Sequence, residues 1–79
     1  MKIVYILQSV RYPDRHYTGI TSDFNQRLAD HNNGNCPHTS KYRPWRLLTS
    51  ISFTEESKAQ EFERYLKSGS GRAFAQKHF

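Results

Sequence analysis

Arg27 and His31 stand four residues apart in a stretch whose spacing predicts a helix, and both fall toward its apolar side. Counting about 100° per residue from Phe24, Leu28 lies at about +40°, Arg27 at about −60° and His31 at about −20°. Both polar residues therefore flank or interrupt the apolar stripe. A second helical stretch does the same with a carboxylate: Ala59, Phe62, Tyr65 and Leu66 define its stripe, and Glu63 lies about 40° beyond Ala59 while Glu61 points across the helix to solvent. Charges at the margin of a core need partners, because an unpaired buried charge is strongly destabilising or changes its ionisation. An Arg27–Glu63 ion pair between the two helices is one way to provide them, and Tyr5 and Tyr17 on two strand-like segments supply hydroxyls. Taken together, a carboxylate can hold a hard divalent cation, an arginine can grip a phosphate, and hydroxyl and imidazole groups can move protons. Those are the parts of phosphodiester hydrolysis. His31, Cys36 and His38 lack the ligand spacing and fourth ligand of a structural zinc centre.

Several elements must position these residues. Ile3-Val4-Tyr5-Ile6-Leu7 is β-branched and aromatic without polar alternation, which predicts a short central strand covered on both faces. Tyr12-Pro13-Asp14 breaks it, and His16-Tyr17-Thr18-Gly19-Ile20 follows at hairpin distance as an antiparallel partner, with Gly19 suited to a close backbone approach. Ser22 or Asp23 caps the first helix, which stops at Asn32-Asn33-Gly34. Residues 35 to 45 read as a loop. A strand over Arg46 to Phe53 offers Leu47, Leu48, Ile51 and Phe53 to the core. Thr54 caps the helix carrying Glu63, which ends near Ser68-Gly69-Ser70-Gly71, and Arg72 to Phe79 form a last short helix. The expected fold is α+β: a small three-stranded mixed or antiparallel sheet with packed helices, in the order β-β-α-β-α-α, formed by residues 1–79 as a single domain.

The charge balance points the same way. Twelve Lys and Arg against seven Asp and Glu leave a net charge of +5, which favours a polyanionic partner. No Asp or Glu occurs from His31 through Thr54, where Lys41, Arg43 and Arg46 surround Tyr42 and Trp45, and none follows Glu63, where Arg64, Lys67, Arg72 and Lys77 lie. Lys41, Arg43, Arg46, Lys67 and Arg72 are the candidate phosphate contacts. Tyr42 and Trp45 could stack on a base, although a tryptophan after Pro44 more often serves the core. A single cysteine, Cys36, suits a reducing, cytoplasmic setting, and the longest apolar run is too short for a membrane span or a signal peptide.

In order along the chain, Ile3-Val4-Tyr5, Tyr17-Thr18-Gly19, Arg27 with His31 four residues on, the Trp45 entry to the third strand, and Ala59-x-x-x-Glu63-x-x-Leu66-Lys67 resemble the GIY-YIG nuclease family over nearly the whole length. The resemblance is to its small stand-alone members, related to the excinuclease nuclease domain and to junction-cutting endonucleases. It implies that Tyr5 and Tyr17 border an active site, Arg27 engages the scissile phosphate, His31 assists proton transfer, and Glu63 binds one Mg²⁺ or Mn²⁺. Tyr17 is then the base or the group that positions the nucleophile, Tyr5 orients it, and His31 is the competing proton acceptor. Ile3 stands where the first triplet has its glycine, Thr18 occupies the middle of the second, and Ile20 stands where the excinuclease domain carries a lysine.

The expected function is a metal-dependent DNA endonuclease selective for branched or damaged structures and linked to repair or recombination. A domain this small reads shape rather than base order, and a protein partner would supply targeting. The alternative is a non-catalytic nucleic-acid-binding module or repair adaptor with the same fold.

Overall fold

The apolar run near the N-terminus forms the middle of the sheet because it is the one segment with no polar face to give to water. The computed structural model describes residues 1–79 and places this run in β1 (Lys2–Ser9), with Val4 to Leu7 buried throughout. β2 (His16–Thr21) and β3 (Trp45–Phe53) flank it in the order β2-β1-β3, both antiparallel to it. The hairpin between β1 and β2 turns at Tyr12-Pro13-Asp14, where the Arg15 amide donates to the Tyr12 carbonyl at 2.8 Å.

Register assigns the two faces. Tyr5 pairs with Gly19 and Leu7 with Tyr17, whereas Val4 pairs with Ile20 and Ile6 with Thr18. Side chains alternate along a strand, so the two tyrosines share one face and the aliphatic pairs the other. On the first face, Tyr5, Leu7 and Trp45 pack with Tyr17, Phe24, Leu28 and Tyr42 beneath α1 (Phe24–Asn32) and α2 (Pro37–Ser40). On the second, Val4, Ile6, Ala59 and Leu66 gather Ile20, Leu48, Phe53, Phe62, Phe74 and Ala75 beneath α3 (Glu56–Lys67) and α4 (Gly69–His78). The result is three layers: helices, sheet, helices.

Several sequence expectations change in detail. Residues 35 to 45 are not all loop, because Pro37, at the first helical position where its missing N–H is harmless, opens the short α2. β3 begins one residue early, at Trp45, and its register slips opposite Ile6 and Leu7. That bulge keeps Leu48 in the second-face core and leaves Leu47 39% exposed. Glu55, not Thr54, stands at the N-cap of α3, without a side-chain hydrogen bond, and Tyr65 is 41% exposed at the margin of the α3 stripe. α4 begins at Gly69, ahead of Arg72, because Ser68 ends α3 and its hydroxyl accepts from the Gly71 amide at 3.1 Å to cap the next helix. A Cβ at Gly71 would collide with the Tyr65 carbonyl, so the missing side chain allows α4 to fold back against the end of α3. No helix is long and apolar enough to cross a membrane.

Candidate functional site

α1 carries the first half of the site. The Asp23 carboxylate accepts from the Gln26 amide at 3.1 Å and sets the start of the helix, and Gly34, with φ of 78°, takes the left-handed turn just beyond its end. Between these ends the apolar residues Phe24 and Leu28 dock on the sheet, bringing Arg27 and His31 down one turn apart, about 6 Å along the axis. Asn32 then latches the helix to β3: its Oδ1 accepts from the Trp45 amide at 2.6 Å and its Nδ2 donates to the Trp45 carbonyl at 3.2 Å.

His31 is fully buried at the centre of an aromatic cluster. Its Nε2 is 3.0 Å from the Tyr5 hydroxyl and its Nδ1 is 2.8 Å from the Thr39 hydroxyl. Its ring lies 4.9 Å from that of Tyr17 and 5.9 Å from that of Tyr5, and the edge of Phe24 closes on Tyr5 at 5.6 Å. Gly19 makes this arrangement possible, since a Cβ there would lie 2.5 Å from Tyr5 Cζ and 3.0 Å from the Tyr17 ring. The reason is close approach rather than backbone conformation: the missing side chain is the space that the Tyr5 hydroxyl fills.

The electrostatics follow from this burial. Desolvation raises the Tyr5 phenol above its ordinary value of 10.0, with the Arg27 guanidinium beside its hydroxyl working in the opposite direction. Burial, then the Arg27 charge, hold His31 below its ordinary value of 6.5. The Tyr5 oxygen close to the guanidinium raises Arg27 further, so it remains a cation. At neutral pH the cluster is thus a neutral phenol, a neutral imidazole and one fixed positive charge.

The structure therefore brings Tyr5, Tyr17, Arg27 and His31 together, and it places Glu63 in another layer. Glu63 lies on the α3 stripe with Ala59 and Leu66, and α3 packs on the second face, nearest β2. Its side chain is only 15% exposed, and Oε2 meets Lys67 Nζ at 2.7 Å. The Arg27–Glu63 ion pair does not form. The sheet lies between the carboxylate's helix and the aromatic cluster. A hard divalent cation is often held by one or two carboxylates and completes its shell with water and substrate phosphate. Glu63 can serve in that mode only as a single carboxylate: its side chain is 15% exposed, Lys67 engages Oε2, and no cluster of three or more His, Cys, Asp or Glu gathers around it.

The candidate phosphate contacts divide between the two layers. Lys41 lies over the Tyr42 ring at 5.7 Å, with Arg15 at 4.9 Å, and the Arg43 guanidinium occupies the space beside Gly34 where a Cβ would stand. Arg46 donates to the Gln8 side chain. Gln8, Arg15, Lys67 and Arg72 line an open groove of about 850 Å³ on the second face, which also reaches Tyr17. Trp45 does not stack on a ligand: it is 5% exposed, and its indole N–H donates to the Thr39 carbonyl at 2.9 Å. Thr39 is the one buried polar residue at the site that the sequence reading passed over. Its only local sign is its place in the first turn after Pro37, within a segment read as loop.

Comparison with known proteins agrees with this geometry. The profile of the GIY-YIG catalytic domain matches residues 1–77. The structure-specific endonuclease subunit SLX1 of the yeast Debaryomyces hansenii is 35% identical over 71 residues, covering 81% of this chain and 20% of its own length. The chain thus spans about a fifth of that relative. The solution structure of a UPF0213 protein from Bacillus halodurans superposes with a TM-score of 0.58 at 31% identity, over 96% of this chain and 81% of that one. With the two tyrosine triplets paired on adjacent strands and the profile matched almost from end to end, the chain belongs to the GIY-YIG catalytic-domain family.

Proposed function

We propose that the protein is a divalent-metal-dependent endonuclease that hydrolyses DNA phosphodiester bonds, selects branched or damaged structures, and acts in cytoplasmic DNA repair or recombination. The observation that carries this reading is the convergence of Tyr5, Tyr17, Arg27 and His31 on one sheet face, built around the space left by Gly19. The similarity to a structure-specific endonuclease supports the substrate class. That relative works as one part of an assembly, by its name, which supports a protein partner for targeting here as well.

In this reading Arg27 offsets the charge that develops on the non-bridging phosphate oxygens. Tyr17, half-buried and more accessible than Tyr5, positions the attacking water. As the water oxygen bonds to phosphorus, its proton passes to His31 through the Tyr5 hydroxyl, and the bond to the leaving oxygen breaks with its electron pair on that oxygen. Glu63 would hold one Mg²⁺ or Mn²⁺ ion, whose chemistry when bound is polarisation of the phosphate and stabilisation of the leaving oxygen. Lys41, Arg43, Arg46, Lys67 and Arg72 would carry the flanking phosphates.

The test is cleavage of labelled flap, forked, nicked and intact duplexes with Mg²⁺ or Mn²⁺, comparing the wild type with Glu63→Ala and Arg27→Ala. The branched substrates should be cut in preference to intact duplex, chelation should abolish cutting, and each substitution should lower the rate by about 100-fold or more. Absence of cleavage on every substrate, or an undiminished Glu63→Ala, rejects the proposal. The Glu63–Lys67 ion pair favours a second reading, in which that carboxylate is structural and the domain only binds. It predicts salt-sensitive DNA binding that survives Glu63→Ala, with no turnover.

A further inference from the structure

We propose that Thr39 is a positioning residue for His31: its hydroxyl holds the imidazole in the Nδ1–H tautomer and so keeps Nε2 free to accept the Tyr5 proton. The role in turnover rests on the nuclease reading above, whereas the tautomer assignment does not.

Hydrogen-bond polarity in a closed interior sets the direction of each bond. Tyr5, His31 and Thr39 are each 1% exposed or less, so their polar atoms must satisfy one another. The row they form has two ends of fixed character. At one end the Tyr5 hydroxyl has His31 as its hydrogen-bond partner, and the nearby Arg27 guanidinium offers it no acceptor. The Tyr5 proton therefore needs an acceptor elsewhere, and the group within reach is His31 Nε2, at 3.0 Å. At the other end the Thr39 hydroxyl donates to the Cys36 carbonyl at 3.3 Å, and a carbonyl only accepts. The Thr39 oxygen then has its lone pairs to offer His31 Nδ1, 2.8 Å away. Both ends demand the same direction: Tyr5 to Nε2, Nδ1–H to Thr39, Thr39 to Cys36. Reversing it would leave the Tyr5 proton without an acceptor inside the protein, the arrangement that buried polar groups avoid.

Thr39 is itself held on three sides. Its carbonyl accepts from the Trp45 indole at 2.9 Å, its amide donates to the Cys36 carbonyl at 3.1 Å, and α2 docks on α1 beside it. The titratable groups that influence His31 are Tyr5 from β1, Tyr17 from β2, and Arg27 and Asp30 from its own helix. None of these touches Nδ1, so the choice of tautomer falls to Thr39. Orientation of a proton-accepting imidazole through its other nitrogen is a recurrent device, and losing the corresponding partner of a metal-ligating histidine typically costs about 10- to 100-fold.

The experiment reads the tautomer directly, by two-dimensional ¹H–¹⁵N correlation of the histidine rings at neutral pH without DNA. Wild-type protein should show His31 with the proton on Nδ1, Thr39→Ser should preserve that pattern, and Thr39→Val should lose it. In cleavage assays with saturating metal, Thr39→Val should lower kcat by about 10- to 100-fold with little change in KM, and Thr39→Ser should restore most of it. A wild-type His31 protonated on Nε2 overturns the proposal without any variant, and so does an unchanged tautomer in folded Thr39→Val. A correct tautomer in a protein that cuts no DNA leaves the assignment standing and rejects the nuclease reading instead.

Discussion

His31 and Tyr5 are buried in their neutral forms, and each makes stability depend on pH in its own direction. For His31 the folded value lies below the ordinary 6.5, so the unfolded chain takes up a proton first and stability is lost as pH falls below about 6.5. For Tyr5 the folded value lies above 10.0, so the unfolded chain gives up its proton first and stability is lost as pH rises past about 10. Thermal unfolding followed by Trp45 fluorescence should therefore show a plateau between these limits. The acid decline should be shallower in His31→Gln by the contribution of one titrating group; an identical decline in wild type and variant would contradict the assignment. Gly19→Ala tests the same cluster sterically. The added methyl meets the Tyr5 ring and hydroxyl, and overpacking of this kind costs about 1–3 kcal/mol. Denaturant unfolding should report that loss, accompanied by a fall in any cleavage activity.

Between residues and the whole lie the joints that hold one element to another. α1 reaches β3 through the two hydrogen bonds of Asn32 to the Trp45 backbone. Asn32→Ala removes both partners and leaves a buried amide and carbonyl to find others, a loss of about 1–3 kcal/mol measurable by chemical denaturation. The same change frees the end of α1 that carries His31, so it should lower cleavage as well as stability. Glu56→Ala, at the exposed start of α3, should do neither. On the other face, Leu66 is 3% exposed in the core beneath α3. Leu66→Ala should cost about 2–5 kcal/mol, with an unfolding midpoint that falls while the Tyr5–His31 cluster across the sheet keeps its spectroscopic signature.

For the molecule as a whole, the proposed reaction draws on residues in two layers. The aromatic cluster lies on the α1 face and Glu63 on the α3 face; in the proposed reaction a phosphate engaging both would pass round an edge of the sheet, and β2 is the edge strand that carries Tyr17 and packs against α3. The basic residues follow the same division, with Lys41 and Arg43 toward the first layer and Lys67 and Arg72 along the groove of the second. DNA drawn over the β2 edge would meet both groups. If so, Lys41→Ala and Arg72→Ala should each reduce the slope of log binding constant against log salt by about 1, and the double variant by about 2. A substitution that leaves the slope unchanged places its residue outside the DNA path.

Much of this arrangement was legible in the residues alone. The unbroken apolar run of β1, the Tyr-Pro-Asp turn and the glycine after Asn33 are local signals, and each produced the element it predicted. The exclusion of Arg27, His31 and Glu63 from ordinary solvated positions was also readable, because helical periodicity is set by backbone geometry over a few residues. Three features were not. Thr39 and the helix around it sit in a four-residue turn too short to carry a period. The bulge that turns Leu47 outward depends on pairing with β1, far away in the chain. The separation of Glu63 from Arg27 is a matter of which face of the sheet each helix covers. Periodicity states how far a side chain turns about its own helix and carries no information about the side of the sheet on which that helix lies. That choice belongs to packing between distant segments, and it decided that Arg27 and Glu63 lie in different layers and form no ion pair.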